Sequence, residues 1–192
     1  MENTKYSKVY RIIHWAIALA FALLLITIFL RLTWLNKFNV AAIIQDYLKG
    51  TEQTLSKDQA IALAKKIRQP MWNWHIYMGY VLAILFSIRF ILPAFGQMKI
   101  QNPLRKNLST KVKFQNWSYI IFYFCVIISL TTGILIEWGP KEFEKPMETI
   151  HVYGIYYLVA FILIHLTGVL IAEFTDQKGI ISRIVSGTTE KY

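Results

Sequence analysis

Four long apolar stretches separated by polar segments dominate the pattern of the chain. They cover residues 12–35, 72–95, 117–137 and 150–173, approximately. An α-helix needs roughly 20 apolar residues to cross a hydrocarbon core about 30 Å thick, and each stretch reaches that length. The pattern therefore predicts an all-α integral membrane protein, in which residues 1–192 form a single four-transmembrane-helix bundle.

The polar segment between the first two stretches has a helical pattern of its own. Residues 39–49 are amphipathic and stop at Gly50. Ser56 and Gln59 have the spacing of a capping box, which predicts a second helix over residues 60–68 that ends before Pro70. We expect two short amphipathic helices in this outer loop. They either cover the ends of the spans or form a docking surface for an external partner.

Charge is distributed unevenly along the chain. The net charge is +10, with basic residues before the first span and between the second and third, and glutamates after the third. Because positively charged loops stay in the cytoplasm, we expect both termini there, in a multi-pass protein embedded in membrane lipid. The excess charge thus indicates topology rather than nucleic-acid binding. The single Cys125 excludes an intramolecular disulfide.

All four histidines fall inside or at the edge of a predicted span: His14, His75, His151 and His165. Ionisable side chains at membrane depth are costly and usually functional. On one continuous fourth helix, His151 and His165 would share a face about 21 Å apart. The predicted topology puts His14 and His165 near the cytoplasmic side and the other two histidines near the outer side.

Two histidine pairs without neighbouring Cys, Asp or Glu do not suit zinc or di-iron, which need more protein ligands. A haem supplies four nitrogens itself and needs only two axial imidazoles. We therefore predict two haem b groups. The inner iron would be bound by His14 and His165, and the outer iron by His75 and His151.

Three glycines follow predicted ligands by three or four residues: Gly79, Gly154 and Gly168. Each lies about one helical turn from a ligand on a similar face, where it would make room for a flat ring. Close packing of helices explains each glycine singly as well.

Two arginines lie inside or beside the spans. Arg89 follows His75 by 14 residues, which puts it on the same face at the inner level. A buried arginine needs an anion, which a haem propionate or a quinone-site group would provide, or else it extends toward the interface. Arg31, at the outer end of the first span, would either serve the outer haem or anchor the interface.

Short motifs in these stretches resemble the bacterial di-haem cytochrome b family, which includes the b-type cytochrome subunit of nickel–iron hydrogenases. The motifs are Arg11-Ile12-Ile13-His14-Trp15, Trp74-His75-Ile76-Tyr77-Met78-Gly79 with Arg89, the pair His151 and His165, and the tail 176–187. The resemblance implies two haems b in a bacterial inner membrane. It also implies a quinone site near the inner haem, around His14, His165 and Arg89, with Lys8 and Arg11 nearby.

The function expected from the resemblance is electron transfer between an outer redox donor, such as a hydrogenase-like or other dehydrogenase subunit, and the quinone pool. The chain would act as a subunit or as an oxidoreductase in its own right. One alternative is a stand-alone superoxide:quinone oxidoreductase, in which cations of the first loop steer a small anion. The other is a non-redox scaffold or transporter component, whose histidines serve packing or proton relay.

Overall fold

The structure is a computed structural model that describes residues 6–96 and 102–187, and all regular elements within these two ranges are helical. The helices are α1 (Lys8–Leu32), α2 (Lys37–Leu48), α3 (Lys57–Ile91), α4 (Thr110–Trp138), α5 (Lys141–Val152), α6 (Gly154–Phe174) and α7 (Ile180–Val185). A short 3-10 turn, Leu92–Phe95, follows α3 and ends at Gly96, whose φ is +80°.

Four helical segments are long and apolar enough to cross a bilayer: Lys8–Leu32, Lys57–Phe95, Thr110–Trp138 and Lys141–Phe174. Large apolar side chains such as Leu19, Ile84 and Phe124 are about 60% exposed on these segments. Such surfaces are unfavourable in water and natural in hydrocarbon. The prediction of an all-α integral membrane protein with four spans is confirmed.

The chain divides into two compact units, each described by itself. Ile17–Ile84 forms the hairpin unit, which holds the rest of α1 from Ile17, α2 and the first part of α3. The main unit combines the described residues of Met1–Ala16 with those of Leu85–Tyr192, and it holds the start of α1, the end of α3 and helices α4 to α7.

Small side chains hold α2 against α3 in the hairpin unit. Ala41, Ala60 and Ala64 are buried together, and partly buried aliphatic residues surround them. Alanines allow two helix backbones to approach closely, as small residues do at helix interfaces. The first loop therefore folds as a helical hairpin with its own small core.

Side-chain caps fix where both loop helices begin. The Asn36 side chain accepts a hydrogen bond from the Phe38 N–H at 3.0 Å. At the start of α3, Ser56 Oγ accepts from the Gln59 N–H at 3.2 Å, and Gln59 Oε1 accepts from the Ser56 N–H at 2.9 Å. This reciprocal pair is the predicted capping box, and helical structure is confirmed in both predicted parts of the loop, as α2 and as the start of α3.

The predicted helix end before Pro70 is wrong, because α3 continues through Pro70 for 35 residues in all. Proline removes one backbone hydrogen bond, to the carbonyl four residues earlier. Both Pro70 and Lys66, which carries that carbonyl, are exposed. The orphaned carbonyl can therefore be solvated, and the apolar span beyond Pro70 keeps the helix going.

The prediction that His151 opens one continuous fourth helix is also wrong. His151 lies in the last turn of α5, and α6 begins at Gly154 after a break at Tyr153. The acidic residues Glu142 and Glu144 occupy the first turn of α5, where negative charge favours a helix start. At 21 residues, α6 alone is about 30 Å long and can cross the hydrocarbon core.

Aromatic rings form the core of the main unit. Phe122 of α4 stacks on Phe161 of α6 with ring centres 3.6 Å apart, and Phe86 packs edge-on against Tyr123 at 5.8 Å. Phe86 is 2% exposed and Phe122 is 6% exposed. This cluster fixes α6 against α4 and thereby positions the side chains that α6 carries.

The hairpin core gives a prediction about steric fit. Ala64→Leu should force α2 away from α3 and destabilise the hairpin by about 1–3 kcal/mol, because overpacking a close helix contact costs that much. Hydrogen exchange of α2 amides in lipid nanodiscs measures the effect. Ala62→Leu, the same change at an exposed position of α3, should leave exchange unchanged. Equal exchange in both variants would contradict the close packing.

Candidate functional site

Two histidines from different helices meet in the main unit. His14 of α1 and His165 of α6 have ring centres 6.1 Å apart, with their planes tilted by 47°. Two imidazoles on opposite sides of one metal ion have ring centres roughly 6 Å apart, because each metal–nitrogen bond is about 2 Å long. The observed separation therefore leaves the space that a single metal ion between two axial ligands requires.

The chemistry of the surrounding side chains decides what kind of metal group fits. Among the described residues, no cluster of three or more His, Cys, Asp or Glu side chains gathers to hold a metal ion. A bare ion between His14 and His165 would lack protein ligands. A haem brings four nitrogens of its own and needs only these two imidazoles. The residues present fit a haem better than any bare metal.

Aromatic rings wall this pair of imidazoles. Tyr10 stacks along His14 at 6.4 Å between ring centres, and Phe161 stacks along His165 at 5.6 Å. Tyr119 of α4 lies 6.2 Å from His165. Such rings favour a flat apolar macrocycle and hold the imidazoles in fixed orientations.

His151 is held by polar groups of α4 instead. Its Nδ1 lies 3.0 Å from the Ser129 carbonyl oxygen and 3.1 Å from Thr132 Oγ1. A carbonyl can only accept, so Nδ1 must carry the proton and donate it. The neutral ring then has its lone pair on Nε2, the atom that binds metals in this tautomer.

Glycine gives the His151 ring its space. A Cβ added to Gly133 would lie 3.1 Å from His151 Cε1, so a larger residue there would push the ring. A Cβ on Gly154 would lie 2.8 Å from Ser129 Oγ, the atom that accepts a hydrogen bond from Tyr157 at 3.1 Å. Gly154 thus serves close helix packing, the alternative considered from the sequence.

His75 has a comparable support within the hairpin unit. Its Nδ1 lies 2.9 Å from Thr27 Oγ1, and that hydroxyl donates its single proton to the Leu24 carbonyl at 2.7 Å. In the tautomer with the proton on Nδ1, the Thr27 oxygen accepts from Nδ1–H and the ring lone pair lies on Nε2. Trp72 stacks on the His75 ring at 4.5 Å, and Arg31 lies 4.0 Å above Trp72. Arg31 is therefore one aromatic ring away from a predicted ligand.

Arg89 is buried in the main unit, with 8% of its surface exposed. Its guanidinium lies 5.2 Å from the centre of the Tyr123 ring, a cation–π distance. The Arg89 guanidinium also forms a hydrogen bond with the Tyr123 side chain, so this buried charge has a polar partner beside the aromatic cluster.

The C-terminal tail explains Arg11 and Trp15. Arg11 donates to the Val185 carbonyl at 3.1 Å, and Trp15 Nε1 donates to the Ile184 carbonyl at 3.1 Å. Gly187, with φ +77°, packs so tightly on Arg11 that a Cβ would lie 2.6 Å from its guanidinium carbon. Arg11 therefore binds the tail, and the cofactor role considered for it from the sequence stays a prediction.

Charged groups hold the turn between α6 and α7. Glu173 accepts hydrogen bonds from the Gly179 N–H at 2.8 Å and the Ile181 N–H at 3.0 Å. Lys111 at the start of α4 donates to Asp176 at 2.7 Å, and this bond holds the pKa of the Asp176 carboxyl below its usual value. The tail is thereby tied to α4 and α6 as well as to α1.

The structure brings together one predicted histidine pair and leaves other predictions open. His14 and His165 meet, whereas His75 and His151 belong to different units and are described separately. An added Cβ at Gly79 or Gly168 would meet no atom within 4 Å, so neither is required for packing of the described chain. Their proposed role beside a haem stays a prediction.

Sequence reasoning missed the residues that support the histidines: Thr27, Ser129, Thr132, Gly133 and Tyr157. One signal was available. The run Ser129-Leu130-Thr131-Thr132-Gly133 places small and polar residues inside an otherwise apolar span, where hydroxyls need a partner.

Four apolar spans and an aromatic-walled pair of imidazoles are features of membrane cytochromes b. A profile of the prokaryotic cytochrome b561 family matches residues 5–187, and the chain belongs to this family. It is therefore a membrane b-type cytochrome that binds haem b and transfers electrons. The search of curated proteins and the search of solved structures each gave no match.

The tail contacts give a second prediction. Trp15→Phe removes the donor to Ile184, so α7 should lose about 1 kcal/mol of stabilisation and its amides should exchange several-fold faster. Hydrogen exchange followed by mass spectrometry measures this directly. Trp34→Phe, at a position 74% exposed, is the matched control. Unchanged protection of α7 in Trp15→Phe would show that the bond does not hold the tail.

Proposed function

We propose that this chain is a di-haem cytochrome b that passes electrons from a donor outside the membrane to quinone near the cytoplasmic side. The observation that carries the proposal is the approach of His14 and His165 to 6.1 Å within an aromatic enclosure. A bound haem supplies one-electron redox chemistry, and the chain supplies axial ligands, burial and orientation.

His14 and His165 would hold the inner haem. Each ring packs beside an aromatic neighbour one turn away on its own helix, which would limit its rotation when an iron is bound between the two.

His75 and His151 would hold a second haem at the outer level. His151 Nδ1 lies 3.0 Å from the Ser129 carbonyl oxygen and His75 Nδ1 lies 2.9 Å from Thr27 Oγ1, and in the tautomer protonated at Nδ1 each ring would bind iron through Nε2. The pairing itself rests on the order of the spans in the sequence. Each of the two histidines begins a span that would run inward from the outer side, so both would lie at the same depth.

Arg89 would bind an anionic oxygen at the inner level. Its burial beside Tyr123 suits a haem propionate or the oxygen of a reduced quinone. A quinone near Arg89 and the inner haem could take its protons from the cytoplasmic side.

The orientation follows from charge and from the tail. α7 bonds to the first turns of α1, which supports both terminal segments on one side of the membrane, as four crossings require. The basic loops favour the cytoplasm for that side. The electron donor would then be a redox subunit on the outer side, such as a hydrogenase-like or other dehydrogenase subunit, identified by pull-down from native membranes.

A second function fits the same fold. Lys57, Lys65 and Lys66 are exposed on the first turns of α3, where they could steer superoxide toward the outer haem. Purified protein that consumes superoxide rapidly without any partner would favour this oxidoreductase. A co-purifying dehydrogenase subunit would favour the electron-transfer subunit.

The ligand assignment gives a third prediction. His165→Ala should remove the inner haem, halve the haem content from two to one per chain, and abolish quinone reduction while the remaining haem is still reduced. Pyridine haemochrome assays and reduced-minus-oxidised spectra measure both. Leu163→Ala, at an exposed position of the same helix, should retain both haems. Two full haems in His165→Ala would contradict the assignment.

Arg89 gives a fourth prediction. Arg89→Gln should slow quinone reduction about tenfold or more, because a hydrogen bond to a charged group contributes roughly 1.5–3 kcal/mol. Arg89→Lys keeps the charge and should lose less. Stopped-flow oxidation of the dithionite-reduced protein by a soluble quinone measures the rates. Arg105→Gln, at an exposed loop position, controls for net charge. Equal rates in Arg89→Gln and Arg105→Gln would rule out a role for Arg89.

A further inference from the structure

The predicted haem ligands in the main unit differ in the hydrogen bonds that their ring nitrogens make. His151 donates Nδ1–H to the Ser129 carbonyl at 3.0 Å, and Thr132 Oγ1 lies 3.1 Å from the same nitrogen. His14 and His165 make no side-chain hydrogen bond within the part of the chain that is described. Aromatic rings lie beside both, and the charge of Arg89 also acts on His14. All three side chains are imidazoles, but His151 has polar neighbours whereas His14 and His165 have mainly apolar ones.

Thr132 Oγ1 provides a second acceptor oxygen beside the Nδ1–H of His151. Its hydroxyl donates its one proton to a backbone carbonyl, with the Ile128 oxygen at 2.8 Å and the Ser129 oxygen at 3.1 Å, so its oxygen faces Nδ1–H as an acceptor. Thr132 is 5% exposed, and the whole arrangement is therefore shielded from water. Two acceptor oxygens at one buried N–H draw its proton away from the ring.

A proton drawn away from Nδ1 leaves more negative charge on the imidazole. A more basic axial ligand stabilises ferric iron more than ferrous iron, which lowers the reduction potential. Apolar rings around His14 and His165 do the opposite, because a low-dielectric surrounding disfavours the additional charge of the ferric state.

We propose that Ser129 and Thr132 are positioning residues that make the haem bound by His151 the lower-potential haem of the two. The inference rests on the proposed di-haem function and deepens it by giving the electron path a direction. A haem held at the His151 level would then be the electron donor, and a haem held at the His165 level would be the acceptor. His151 would keep its Nδ1 proton, because the Ser129 carbonyl can only accept.

The groups around Ser129 keep this arrangement rigid. Tyr157 donates to Ser129 Oγ at 3.1 Å, and Gly133 and Gly154 leave room for the His151 ring and for that hydroxyl. In the hairpin unit, Thr27 accepts from His75 Nδ1–H at 2.9 Å, the same chemistry on the other proposed outer ligand. If both histidines bind one iron, both threonines tune one potential.

The test is a potentiometric titration of the holoprotein in nanodiscs, followed at the α band and by low-temperature EPR. Wild type should show two one-electron waves. Thr132→Val should shift only the lower wave upward by about threefold in the reduction equilibrium constant, roughly 30 mV at about 59 mV per tenfold. Thr132→Ser, which restores the hydroxyl, should return the wave to its wild-type position.

Two further variants complete the design. Thr27→Val should move the same lower wave as Thr132→Val, because the two threonines support the two ligands of one haem. Thr149→Val is the matched control, since Thr149 lies in α5 with His151 but its hydroxyl bonds only the Lys145 carbonyl at 3.0 Å on an exposed face. It should move neither wave.

The outcomes distinguish a failure of the proposed order of potentials from a failure of the di-haem function. A shift of the higher wave, of both waves equally, or of neither in both Thr132→Val and Thr27→Val would overturn the inference while two haems remain. A single wave with one haem per chain would instead overturn the di-haem function itself. Selective movement of the lower wave in both threonine variants, with rescue by Thr132→Ser, supports the inference.

Discussion

An imidazole inside a membrane must satisfy two ring nitrogens without water, and the histidines of this protein are arranged around that constraint. An unsatisfied polar group in hydrocarbon costs several kcal/mol. His151 and His75 meet the constraint at Nδ1 through carbonyl and hydroxyl oxygens. With Nδ1 protonated, Nε2 is the nitrogen that would bind iron in the proposed function. A hydrogen bond at Nδ1 thus lowers the cost of burying the imidazole and orients its ring for the proposed binding of iron.

The inner pair depends on how α1 is oriented. Arg11 and Trp15 are four residues apart, so they lie on one face of α1, and both bond carbonyls of α7. His14 lies on an adjacent face, roughly 60–100° around the helix from them. Fixing the first face to the tail therefore fixes the rotation of the helix, and with it the direction in which His14 approaches His165. The tail acts on the site through helix rotation alone.

Helix existence followed directly from the sequence, because long apolar runs and a capping box are local signals. Span number, the hairpin helices and the histidines as candidate ligands were predictable in this way. The path of α3 through Pro70 was not, because it depends on solvation of one carbonyl. The break at Tyr153 was not either, because the apolar pattern continues across it. Thr132 and Ser129 were missed because their role arises from a contact between two helices. They lie 19 and 22 residues before His151 in the sequence.

The break at Tyr153 affects how the orientations of His151 and His165 are set. On one straight helix, the orientation of His151 would be fixed by that of His165, because 14 residues set a single rotation between them. With α5 and α6 separate, His165 takes its orientation from the stack with Phe161 on α6. His151 takes its orientation from Ser129 and Thr132 on α4. Each histidine then has its own surroundings, so in the proposed di-haem protein one potential could change without disturbing the other.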